Sequence, residues 1–136
     1  MVAVLAIAVL APLIQSSPAL ASVVHQTLYQ EDQCVPTVGT QVGTAKVTRD
    51  EKSVRVHVAG SMPAGHQFDI AVYNSTGGGC TYAAPVKGPY VVPGTGQFSQ
   101  SAKFKVRTSI KQVVVAAYDL TNTADTAESL SFKLKP

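Results

Sequence analysis

From residue 42 onward, apolar and polar side chains alternate with a period of two. Val54, Val56 and Val58 are interleaved with Ser53, Arg55, His57 and Ala59, the pattern of a strand with one face on a core and the other in water. Phe68, Ile70 and Val72 alternate with Asp69, Ala71 and Tyr73. The clearest run sets Phe98, Gln100, Ala102, Phe104 and Val106 against Gln97, Ser99, Ser101, Lys103, Lys105 and Arg107. Leu130, Phe132 and Leu134 repeat the pattern at the C-terminus, and residues 110–118 are apolar on both faces, as in a central strand. Ala45 and Val47 mark a weaker strand, and residues 23–29 are β-prone but poorly phased. Turn-forming groups separate the runs, at residues 49–52, 62–65 and 122–125. No window carries a helical period. About seven short strands with turns every 8–12 residues predict an all-β fold, a two-sheet antiparallel β-sandwich.

Residues 74–97 interrupt this rhythm. They hold six of the ten glycines and three of the eight prolines, and predict a long loop, within which 81–83 and 90–92 could add edge strands. Connections of this length are usually functional or mobile.

The N-terminus follows a different pattern. Residues 2–14 are an apolar stretch, followed by Pro18 and the small-residue site Ala19-Leu20-Ala21. This is the layout of a secretory signal peptide over residues 1–21, cleaved after Ala21, although no Lys or Arg precedes the apolar run. The stretch is shorter than the roughly 18–20 residues a membrane span needs. The expected mature domain is residues 22–136, secreted into the extracellular medium, with no membrane span after cleavage.

Export decides how the cysteines are read. Cys34 and Cys80 are the only two in the chain, and oxidising surroundings predict a disulfide between them. Neither has a second Cys or a His at zinc-ligand spacing.

The passage Val54-x-Val56-x-Val58-Ala59-Gly60-x-Met62-Pro63-Ala64-Gly65-x-x-Phe68-Asp69-Ile70 resembles the second-to-third strand region of secreted immunoglobulin-like bacterial domains. Among these it is nearest in layout to the antitumour-antibiotic apoproteins of the neocarzinostatin type. The passages around Gly96–Arg107, Tyr118-Asp119 and Leu130-Ser131-Phe132 fit the same strand order. The resemblance implies an immunoglobulin-like sandwich. The chain departs from that family in having one possible disulfide instead of two and an extra segment over residues 22–40, so chromophore carriage is not carried over.

Candidate chemistry is sparse. His25, His57, His66 and Met62 suggest copper only superficially, because every His precedes Cys80 and a blue-copper loop needs the opposite order. An amino-terminal copper site would require cleavage one residue later, giving Val-Val-His25. No nucleophile elbow or phosphate loop is present. His66 with Asp69 reads as a turn hydrogen bond, and Asp119 with Asp125 as a strand end and its turn. The expectation is therefore a non-enzymatic protein with no cofactor and no metal.

Binding is the remaining class. Eleven Lys and Arg against eight Asp and Glu leave a net charge of +3, too small to predict a nucleic-acid partner. An immunoglobulin-like order would pair the Val54–Val58 and Phe98–Val106 strands. That would place Arg55, His57, Lys103, Lys105 and Arg107 on one outer face, suited to an anionic glycan, a wall polymer or an acidic protein. Tyr82 and Tyr90 are candidate anchors in the long loop. The expected role is binding or adhesion at the cell envelope or in the medium. Two alternatives are an inhibitor of a secreted hydrolase using the disulfide-braced loop 78–82, and a small-ligand carrier.

Overall fold

The computed structural model describes residues 22–31, 34 and 38–135; the leader expected over residues 1–21 lies outside them. The chain forms β1 (Ser22–Gln30), β2 (Thr40–Asp50), β3 (Ser53–Ser61), β4 (Gln67–Asn74), β5 (Thr81–Tyr82) and β6 (Lys87–Val91). There follow β7 (Gln97–Lys105), β8 (Gln112–Asp119), β9 (Ala127–Ser129) and β10 (Phe132–Lys133). Every pairing is antiparallel. Among the described residues the only helical pieces are 3-10 turns at Thr76–Gly78 and Thr123–Asp125.

The strands hydrogen-bond along one path, β5-β4-β8-β9-β1-β2-β3-β7, with β6 also on β4 and β10 also on β8. The all-β antiparallel fold is as expected, and in place of about seven strands ten make one curled, sandwich-like sheet. The cause is β1. It pairs with β2 along its whole length, from Ser22↔Arg49 to Gln30↔Thr40. Its last three residues also pair with β9, Leu28↔Ser129 through Gln30↔Ala127. One strand thus joins the β2-β3-β7 half to the β4-β8-β9 half.

The curl brings the two halves face to face. Val54, Val56 and Val58 of β3 are fully buried, as are Ile70 and Val72 of β4 and Val113 and Val115 of β8. Burying each such side chain contributes about 1.5–3 kcal/mol. Phe68 of β4 meets Phe98 of β7 with ring centroids 5.1 Å apart, closing the core between sequence-distant strands. On β3 the residues that alternate with the valines, such as Arg55 and His57, face outward, as the period-two pattern requires. Buried Arg49, at the end of β2, donates from Nη1 to the Ile110 carbonyl at 3.1 Å and from Nη2 to the Arg107 carbonyl at 3.2 Å. These bonds tie the β7–β8 connection under the core.

Residues 74–97 form a 3-10 turn and two short edge strands, each docked on β4, in place of an uninterrupted loop. Gly88 in β6 has φ 140°, and a Cβ there would stand 2.4 Å from an Asp69 carboxylate oxygen. The positive φ is what calls for glycine there, since the Asp69 side chain could turn aside.

The central strand β8 has two apolar faces, and each is covered differently. Its inner face packs in the main core. On its outer face Val114 and Ala116 join Ala71 and Tyr73 of β4 in a second small cluster, with Cys34 and Cys80 packed on it. The Cys34–Cys80 disulfide packs on this cluster, and the Cys34 amide donates to Glu128 Oε1. Cross-linking across 46 residues stabilises the fold by about 4 kcal/mol in the chain-entropy model. Replacing Cys34 and Cys80 together by Ser should lower unfolding free energy by up to about 4 kcal/mol in urea titration with unchanged strand content. A loss below about 1 kcal/mol would show that the cross-link contributes little to the fold.

Candidate functional site

Two arrangements of polar side chains stand out on the surface, and both arise from strand register. The first is the outer face of β2-β3-β7. Cross-strand pairing aligns His25, Lys46, His57 and Ser101 in one row and Thr48, Arg55 and Lys103 in the next. Asp50, Ser53 and Lys105 form a third row. The alternation that buries Val47, Val56 and Ala102 inward is what sends these residues outward. The expected pairing of the two valine- and phenylalanine-bearing strands is present, as β3 with β7.

Arg55 lies directly opposite Lys103, a like-charge pair that costs stability in a sheet. Among the described residues, Lys46, Arg55, Lys103 and Lys105 form no ion pair with a carboxylate. The face is indented. A groove of about 550 Å³ is lined by Lys46, Thr48, Arg55, His57, Ser101 and Lys103, with Asp50 and Ser53 at its end. It continues past Lys103 into a second groove of about 930 Å³ that includes Lys52, Lys105 and Arg107. Charged and hydroxyl-bearing side chains dominate the first lining, which suits an anionic ligand better than an apolar one; the second also holds Asp50, Glu51 and Val106.

Of the residues picked from sequence, Arg55, His57, Lys103 and Lys105 share this face, and Arg107 follows it in the second groove. Lys46 and His25 were missed. Lys46 alternates with Ala45 and Val47 in a strand recognised only weakly, and His25 sits in the poorly phased β1.

The second arrangement joins the β3–β4 turn to the β8–β9 turn. His66 Nδ1 lies 2.6 Å from Asp119 Oδ2 and 4.0 Å from Asp125 Oδ2. The partner of His66 is therefore Asp119 and not Asp69, three residues along. An ionised carboxylate only accepts, so Nδ1 carries the proton. Asp119 is fully buried, and its Oδ1 accepts from the Thr121 and Asn122 amides at 2.8 and 3.0 Å. Gln30 Nε2 donates to Asp125 Oδ1 at 3.2 Å. His66, Asp119 and Asp125 could offer three ligand atoms to an ion, all within 4.8 Å of one another. The direct His66–Asp119 hydrogen bond, however, makes the group a bracket between turns.

The candidate tyrosines differ. Tyr90 is half-buried against Phe68, centroids 5.6 Å apart, as part of the core margin. Tyr82 is 60% exposed and stacks on buried Tyr73 at 5.2 Å, with ring planes 26° apart. Burial, reinforced by Tyr82 and then by the Glu128 charge, pushes the Tyr73 hydroxyl above its ordinary value of 10.0. Burial likewise raises the Asp69 carboxyl.

Comparison with known proteins adds no relative: no family model matches the chain, and neither a curated protein nor a solved structure is similar to it.

The bracket has a measurable weight. Hydrogen bonds to charged groups contribute about 1.5–3 kcal/mol each, and Asp119 accepts from three donors. Asp119→Ala should cost about 3 kcal/mol or more in chemical denaturation. A loss within about 0.5 kcal/mol, the range of an ordinary surface change, would mean the turns hold each other without it.

Proposed function

We propose that the protein is a small exported binding or adhesion protein, without catalytic activity, that holds an anionic glycan or wall polymer against its β2-β3-β7 face. In this reading residues 1–21 are a signal peptide and the mature domain works at the cell envelope or in the medium. The curled sheet is then a variant of the immunoglobulin-like sandwich, whose two layers β2-β3-β7 and β4-β8-β9 are stitched together by β1.

The observation that carries the proposal is the unneutralised cation cluster in the groove. Arg55 faces Lys103 across the β3–β7 ladder, with Lys46 and Lys105 nearby and no carboxylate partner among the described residues. An extended anion lying in the groove would relieve that repulsion along several strands at once. Sheet geometry suits a repeating polymer, because neighbouring strands offer charges about 5 Å apart. Binding through exposed charges must weaken with salt. Lys103→Glu combined with Lys105→Glu should abolish retention on a heparin resin at moderate salt while leaving the thermal midpoint nearly unchanged. Unchanged retention would refute the reading.

A second reading, inhibition of a secreted hydrolase by the loop 78–82, is favoured by Tyr82. Its exposed ring is backed by Tyr73, and Cys80 two residues earlier is tied to Cys34. Such bracing lowers the entropic cost of docking. An inhibitory loop should survive prolonged incubation with the protease it blocks. Rapid cleavage between Thr81 and Val86 by a broad panel of secreted proteases would remove this reading and leave the first untouched.

A further inference from the structure

We infer that the anion-binding face is strengthened by acid, through a histidine row built into its register. The inference rests on the polyanion reading above. His25 of β1 is directly opposite Lys46 of β2, and Lys46 is directly opposite His57 of β3. The row ends at Ser101 on β7. Imidazole is the side chain that ordinarily gains its charge between about pH 8 and pH 5. Two such groups flank a lysine on a face already carrying Arg55 and Lys103.

The surroundings of His57 are equipped for both charge states. Its Nδ1 lies 2.7 Å from Ser101 Oγ and its Nε2 lies 3.1 Å from Ser99 Oγ. A serine hydroxyl can donate or accept. Neutral His57 takes one hydrogen bond and gives the other; protonated His57 gives both, after rotation of a single hydroxyl. The ring therefore gains charge without losing a partner or leaving its place on the sheet.

The charges facing these histidines all belong to the same face. Lys46 meets both from β2, Arg55 stands two residues from His57 on β3, and Lys103 approaches from β7. Asp50 is the carboxylate at the end of the groove. On β1, His25 has Val23 and Thr27 as its same-face neighbours. A polyanion lying on the face interacts more favourably with protonated than with neutral imidazole, so binding takes up protons. By linkage, affinity rises as pH falls, because the complex holds more protons than the free protein.

Dextran sulfate is the probe, since its charge does not change in this pH range. Its dissociation constant is measured at pH 8.0 and pH 5.5 at fixed ionic strength. Two added exposed charge contacts should tighten wild-type binding about fivefold at the lower pH. His25→Gln combined with His57→Gln should lose the response, so that the ratio of its affinities at the two pH values falls to about one. Both positions lie on the outer face of the sheet, and an unchanged thermal midpoint confirms that the variant is folded. Wild-type affinity equal at both values would overturn the inference while leaving the polyanion reading intact. So would a variant that keeps the full response, because another group would then carry it. Absence of wild-type binding at either pH would overturn both.

Discussion

The double pairing of β1 is the constraint on which the rest of the structure depends. Backbone amides and carbonyls in a strand must find partners, and β1 meets that demand with β2 along its length and with β9 at its end. Two half-sheets that could have faced each other as separate layers become one curled sheet. The curl places Phe68 against Phe98 and encloses the valines of β2, β3, β4 and β8 in one core. It also leaves each half with an outer face to be dealt with separately.

The two outer faces are treated in opposite ways. On β4-β8 the outer face is apolar, and the Cys34–Cys80 disulfide packs on it. On β2-β3-β7 the outer face is cationic and open, with Arg55 and Lys103 facing one another. Charged residues on a sheet face also discourage unwanted edge-to-edge association, but that purpose does not call for like charges in direct register. The His66–Asp119 bracket adds a third element, fastening the turns at one end of the sheet.

Much of the strand content was legible locally. Val54, Val56 and Val58, or Phe98, Ala102 and Phe104, declare their inward face because burial and the two-residue repeat coincide. The role of residues 110–118 as a central strand was legible for the same reason, since both faces are apolar. β1 was harder to read: Leu28 is fully buried, but the residues before it alternate imperfectly and a register shift follows it. Of the basic face, Arg55, His57, Lys103 and Lys105 were readable by assuming that their strands pair. Lys46 and His25 required the register of β1 and β2. The His66–Asp119 contact spans 53 residues, and nothing local distinguishes Asp119 from Asp69 as a partner.

The sequence by itself therefore determined the all-β character, the inward and outward sets of each strong strand, and the pairing of the two cysteines. These follow from a repeat of two residues and from having only one possible disulfide. Tertiary structure alone decided that the strands make one curled sheet, that the disulfide packs on the second face of β8, and that two histidines flank a lysine on the basic outer face. Each of these depends on which strand lies beside which and in what register. Register is set by packing and hydrogen bonding across the whole sheet, so no single segment carries it.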